Sequence, residues 1–124
     1  MIARWALAAC LGLMLGCAQA PSALVDLLNL PAEKALLTGL RAYEDALYVE
    51  AERQFVQALN LGLVSVRDQA AAHKHLAFIY CTSNRLNECE AEFRAALLAD
   101  PAFTLSKSEA GHPSWGQVYT RVRP

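Results

Sequence analysis

Cys17 is the residue whose setting most directly indicates chemistry, because it follows the apolar sequence Leu13-Met14-Leu15-Gly16. A secretory signal needs a positive start, about 7 to 15 apolar residues and small residues at the cleavage site. Residues 1–16 supply each of these, with Arg4 as the early positive charge. The pattern predicts a bacterial lipoprotein signal over residues 1–16 that is removed, a lipidated Cys17 and a tether over residues 17–30.

Two alternatives for this N-terminal segment fit less well. Cleavage before Cys10, which also follows a lipobox-like run, would leave too short an apolar segment. A membrane-spanning helix needs about 20 apolar residues, and Pro21 and Ser22 interrupt the run before that length is reached. We therefore expect a lipid-anchored protein on the periplasmic side of the cell envelope. Ala18 stands where Asp would retain a lipoprotein in the inner membrane, which favours the outer membrane.

Cys81 and Cys89 are the two cysteines that remain in the body of the chain beyond the export segment. In an oxidising compartment such a pair favours a disulfide. A tight turn between their helices would bring them onto facing sides of one hairpin, and this geometry allows, without requiring, the distance below about 7 Å between Cα atoms that a bridge needs. The alternative is a pair of buried free thiols, with Cys89 filling a slot for a small residue.

The remaining titratable residues do not form a recognisable catalytic or metal-binding pattern. His73 and His75 are two positions apart on a helix and so point to different faces, and His112 is far along the chain. The net charge of −1, with no basic run, argues against nucleic-acid binding. We expect no catalytic residue, metal, cofactor or small-molecule substrate.

Hydrophobic periodicity predicts an all-α chain in which four main helices position these residues. Ser65 has the spacing of a capping box with Asp68, Asn84 or Asn87 is the expected cap of the fourth helix, and Pro113 is expected to open a last short helix. The first four helices are predicted from Pro31 to about Asp45, from Val49 to about Leu61, from Ser65 through Tyr80, and from the asparagine cap to before Pro101.

An internal repeat groups these helices into two hairpins over residues 31–100. The pattern Ala51, Phe55, Ala58, Leu59 recurs 38 positions later as Cys89, Phe93, Ala96, Leu97. Tetratricopeptide units repeat small and aromatic residues in this manner over about 34 residues of helix-turn-helix. The repeat predicts a tetratricopeptide-like pair of hairpins, the alternative being a generic four-helix bundle.

The first helix of each hairpin would line the inner face of such an array. This face is a candidate groove for an extended or helical segment of a partner. It could instead be filled by the chain's own tether or tail. The candidate groove residues are Leu36, Leu40, Tyr43, Glu44, Lys74, Phe78 and Thr82.

Residues 101–124 form a C-terminal segment of different character, opened by a capping-box sequence at Ser106. Two repeats leave an exposed apolar end that has to be covered. We expect this segment to cap that end, although its aromatic residues could instead form a partner-binding patch. The residues concerned are Phe103, Leu105, Trp115 and Tyr119.

Taken together, the sequence 72–81, the sequence 89–94 and the tail 109–116 carry a more specific likeness. The paired cysteines and the Ala-Gly-His-Pro-x-Trp sequence of the tail lie within these stretches. The chain resembles the TssQ family of tetratricopeptide lipoproteins associated with type VI secretion. The resemblance implies a membrane-tethered adaptor or scaffold that is accessory to the secretion apparatus and is not an enzyme. A pilotin-like or general cell-envelope assembly lipoprotein that escorts an outer-membrane component is the alternative.

Overall fold

The structure, a computed structural model, describes residues 29–124 together with Gly16 and Asp26. These residues form an all-α fold without a strand, and their helices are α1 (Pro31–Glu44), α2 (Tyr48–Leu61), α3 (Val66–Thr82), α4 (Leu86–Ala99), α5 (Lys107–Ala110) and α6 (Gly116–Val122). Helix α1 packs along α2, and α3 along α4, as two hairpins joined through α2 and α3. The predicted tetratricopeptide-like architecture is confirmed. In this part of the chain, no helix has the length and hydropathy that crossing a bilayer requires.

Both hairpins turn through the same backbone conformation, 38 positions apart. Ala46 and Asn84 each adopt a left-handed conformation, with φ of 59° and 61°. The next residue in each case donates a hydrogen bond back to the helix, from Leu47 N to Ala42 O and from Arg85 N to Tyr80 O, both 2.8 Å long. These are Schellman-type ends, in which a left-handed residue lets the last carbonyls of a helix find donors. The repeat therefore extends from side-chain spacing to backbone geometry.

Some helices begin at the capping residues that the sequence predicts, and others do not. The Ser65 hydroxyl accepts from Asp68 N, as the capping pattern predicted, and Ser106 with Glu109 forms a complete capping box. The prediction that Asn84 or Asn87 caps α4 was wrong. Arg85 occupies the cap position without a side-chain hydrogen bond, because Asn84 serves in the turn. The last helix begins at Gly116 and not at Pro113.

Small residues let the two helices of each hairpin approach closely. Phe55 is fully buried where α2 crosses α1, and a Cβ atom at Gly39 would lie 2.8 Å from its ring. Ala77, the counterpart of Gly39 one repeat later, is also fully buried, as is Phe93, the counterpart of Phe55. The closely packed core therefore depends on a small residue opposite a phenylalanine in each unit.

Ala46→Asn is expected to stabilise the fold. An alanine in the left-handed region costs about 1 kcal/mol, whereas asparagine tolerates that region. Urea unfolding followed by circular dichroism should show an increase of about 1 kcal/mol in the free energy of unfolding. The reciprocal variant Asn84→Ala should lower it by a similar amount. If both variants had the same free energy of unfolding as the wild type, the left-handed conformation at positions 46 and 84 would be contradicted.

Candidate partner-binding surface

The predicted lipidation site, Cys17, lies outside the described residues, and so does most of the tether over residues 17–30. Helix α1 begins just after Leu30, whose carbonyl oxygen accepts from Lys34 N over 2.9 Å. Lipidation stays a prediction of the sequence.

Cys81 and Cys89 lie at disulfide-bonding distance. Their Sγ atoms are 2.04 Å apart and their Cα atoms 5.1 Å apart, and both side chains are buried. The bridge joins the last turn of α3 to the first turn of α4. Cys89 also takes the small-residue position that Ala51 occupies in the first hairpin. The second hairpin is therefore closed covalently at the end where its turn lies.

The candidate groove residues do not form one continuous exposed face. Leu36 and Phe78 are buried in the core. Leu40, Tyr43 and Lys74 are half-buried, and Glu44 and Thr82 are exposed. The half of the groove on α1 is thus partly open, while the half on α3 is largely covered.

The C-terminal segment is what covers the α3 half. The Trp115 ring stacks on the Phe78 ring, with their centroids 4.0 Å apart and 19° between the planes. Trp115 Nε1 donates to the carbonyl oxygen of Glu109 over 2.8 Å, and Lys74 Nζ lies 3.0 Å from Glu109 Oε2. His112 stacks on the Trp115 ring at 3.4 Å. The chain's own tail therefore occupies the position where a partner would contact α3.

A close backbone approach holds this tail in place. A Cβ atom at Gly116 would lie 2.3 Å from the carbonyl oxygen of Ala110, so only glycine allows the segment to fold back on itself. Gly116 N donates to the carbonyl oxygen of His112 over 2.9 Å. The Ala-Gly-His-Pro-x-Trp-Gly sequence therefore acts as a compact turn that presents Trp115 to Phe78.

The aromatic residues of the tail form a layer over α3 and α4 instead of an open patch. Leu105, Trp115 and Tyr119 are buried, and Phe103 is half-buried. The Tyr119 ring lies 5.5 Å from Phe93 and 6.2 Å from Phe103 between centroids. The rings of Trp115 and Tyr119 thus lie against Phe78 and Phe93 of the second hairpin.

The three histidines occupy three separate settings. His73 Nδ1 lies 2.6 Å from Glu92 Oε2 and so links α3 to α4, while His112 covers Trp115. His75 lies where the two hairpins meet, with ring centroids 5.1 Å from Tyr43 and 5.2 Å from Phe55. Among the described residues, no group of His, Cys, Asp or Glu side chains has the arrangement of a metal site.

His75 is a contact between the hairpins that the sequence did not indicate. Its Nδ1–H donates to the carbonyl oxygen of Ala71 over 2.7 Å. Burial lowers the pKa of His75, and Lys74 lowers it further, whereas the Ala71 carbonyl and the carboxylates of Glu109 and Glu44 act in the opposite direction. Burial between the two hairpins therefore favours a neutral imidazole.

An exposed apolar group at the α1–α2 turn was also missed from the sequence. Leu47, Tyr48 and Val49 are 57%, 48% and 86% exposed, and with Ala46 and Glu50 they line a cavity of about 410 Å³. The Tyr48 ring lies 5.4 Å from the Tyr43 ring. The open part of the groove therefore continues into this turn. We call this continuous region, formed by Leu40, Tyr43, Leu47, Tyr48 and Val49, the first-hairpin surface.

Comparisons of the chain with protein-family models, with curated proteins and with solved structures find no match. The first-hairpin surface lies on α1, on the α1–α2 turn and at the start of α2. Its apolar side chains are bordered by the exposed acidic residues Glu44 and Asp45. A segment with apolar residues flanked by lysine or arginine would complement both features.

The double variant Cys81→Ala/Cys89→Ala should lose about 2 to 3 kcal/mol of unfolding free energy, because the bridge closes a short loop in the unfolded chain. Urea unfolding measures this loss. Reduction of the wild type should reproduce it, while reduction of the double variant should change nothing. Stoichiometric thiol labelling of the denatured, unreduced wild type would show that the bridge is absent.

His75 should make stability depend on pH. Its pKa in the folded protein lies below the usual 6.5, so the unfolded chain binds the proton more tightly. The contribution of neutral His75 is complete above pH 6.5 and is lost as the pH falls below it. The slope is at most about 1.4 kcal/mol per pH unit.

Urea unfolding of wild type and His75→Phe at pH 7.5 and pH 5.5 tests this prediction. The wild type should lose more stability between these two pH values than the variant, in which no imidazole titrates at this position. Identical losses would show that His75 is not the group responsible.

Proposed function

We propose that this chain is a non-enzymatic, lipid-anchored tetratricopeptide adaptor or scaffold that is accessory to a type VI secretion system. It would hold a protein partner at the periplasmic side of the envelope, on the outer membrane. The signal ending at Cys17 supports the anchor, and the paired hairpins support a role in protein binding. The resemblance in residues 72–81, 89–94 and 109–116 supports the type VI context.

The first-hairpin surface is the observation that carries the binding role. Tetratricopeptide arrays use the face lined by the first helix of each hairpin, and here the α3 half of that face is filled by Trp115. The open remainder combines half-buried Leu40 and Tyr43 with the exposed apolar residues of the α1–α2 turn. A contiguous apolar surface of this kind marks an interaction site on a small protein. Tyr43 and Tyr48 supply aromatic contact area of the type that dominates binding energy.

The disulfide fits the proposed compartment. Bridges between cysteines persist in oxidising environments such as the periplasm and are rare in the cytosol. Cys81 and Cys89 lie at bonding distance within the second hairpin. A disulfide at this place is consistent with a signal that ends at Cys17 and directs the protein to the periplasm. The bridge lies at the α3–α4 turn of the second hairpin, whereas the first-hairpin surface lies on α1, on the α1–α2 turn and at the start of α2.

Tyr48→Asp should abolish partner capture without unfolding the protein, because Tyr48 is half exposed. Loss of an aromatic anchor costs about 2 kcal/mol of binding energy, or roughly a thirtyfold loss of affinity. The measurement is in-cell photo-crosslinking from a reactive amino acid at position 49 of the full chain. We expect crosslinks to membrane-complex or sheath components of the secretion apparatus, and their loss in the Tyr48→Asp variant.

Ala91, which is exposed on α4, provides the matched control. A crosslinker at position 91 should not capture these components, and Ala91→Asp should not reduce capture from position 49. Recovery of secretin subunits in place of type VI components would overturn the proposed context in favour of a pilotin-like escort. Equal capture from positions 49 and 91 would overturn the assignment of the surface.

A further inference from the structure

One end of the molecule gathers apolar side chains that have no protein partner among the described residues. The two helices of each hairpin are antiparallel and a short loop joins α2 to α3, so the start of α1, the end of α2, the start of α3 and the end of α4 lie together. We call this end the base. Its exposed apolar residues are Leu30 (38%), Leu61 (52%), Val64 (65%), Val66 (51%) and Leu98 (86%).

Specific contacts hold the base together. Val64 N donates to Glu33 Oε1 over 3.1 Å, which draws the α2–α3 loop onto the start of α1. Beside this contact, Leu30, Pro31 and Leu61 border a notch of about 170 Å³. Glu33 is 7% exposed, so its charge is withdrawn from the surface that the apolar residues present.

The base is also the end at which the tether enters. Thirteen peptide steps lead from Cys17 to Leu30, which limits their separation to about 45 Å. A lipid on Cys17 would therefore keep Leu30 at high effective concentration beside the bilayer. The tether adds four apolar residues just before Leu30, namely Leu24, Val25, Leu27 and Leu28. The α1–α2 turn lies at the opposite end, about 21 Å away along a 14-residue helix.

We propose that the base rests on the leaflet that holds the lipid anchor, with Leu61, Val64 and Leu98 inserted at the boundary between headgroups and acyl chains. This inference depends on the proposed lipidation of Cys17. Apolar side chains at that boundary add binding energy in proportion to the apolar area that they bury. The exposed Lys34 and Arg67 beside them can place their charged ends at the phosphate level. Docking in this orientation directs the first-hairpin surface away from the membrane.

Single cysteines in the lipidated full-length protein test this orientation. Cys17 carries the lipid and Cys81 is bridged to Cys89, so an added cysteine is the only free thiol for an environment-sensitive NBD label. Leu98→Cys at the base and Val49→Cys at the opposite end form a matched pair, since both native side chains are 86% exposed. Val64→Cys is a second base position. The labelled proteins are reconstituted in phosphatidylethanolamine–phosphatidylglycerol vesicles, with a quencher attached to the acyl chains.

The labels at positions 64 and 98 should emit at shorter wavelength and be quenched, while the label at position 49 should show neither effect. Equal responses at both ends, or none at position 64 or 98, would overturn the proposed docking. Flotation of the vesicles separates this failure from failure of the anchor: protein that floats retains its lipid, and Cys17→Ala should not float. A short-wavelength signal from position 64 in the unlipidated Cys17→Ala variant without vesicles would show that the tether or a second copy covers the base, and would also overturn the proposal.

Discussion

The stacking of Trp115 on Phe78 determines which surfaces of this molecule are covered and which remain open. The contact joins the C-terminal segment to the inner face of α3, and Glu109 reinforces it through Lys74 and through the indole nitrogen. Two repeats alone would expose the aromatic face of the second hairpin to water. Because the tail buries that face, the inner surface that stays open among the described residues belongs to the first hairpin.

The two hairpins share a backbone and differ in how they are closed. Their turns use the same left-handed residue and the same hydrogen bond, at Ala46 and at Asn84. In the second hairpin a disulfide lies next to the turn and the tail covers the inner face. In the first, exposed Tyr48 and its neighbours lie at the corresponding place. This asymmetry leaves the second hairpin bridged and covered by the tail, and the first hairpin with exposed apolar residues at its turn.

Local patterns predicted most of the helices because periodicity and capping act over a few residues. Ser65 and Ser106 cap their helices as expected, since a hydroxyl needs only a nearby backbone N–H group. The α4 cap was predicted wrongly because Asn84 satisfies a second preference, for the left-handed conformation. The position of Asn84 is therefore decided by the whole α3–α4 turn and not by the start of α4 alone. The exposed residues at the α1–α2 turn were missed for a similar reason, since an apolar side chain shows its exposure only when its neighbours are placed.

The sequence by itself determined the pairing of the helices, because small residues opposite phenylalanines and a repeat of 38 positions are encoded within each unit. It also put Cys81 and Cys89 on either side of a short turn, where a bridge is allowed, and the structure supplied the distance between them. The tertiary structure alone decided that Trp115 fills the groove and that His75 is enclosed by aromatic rings of both hairpins. Such contacts join residues that are distant in the chain, and their geometry depends on how whole helices pack. Local spacing carries no information about that packing.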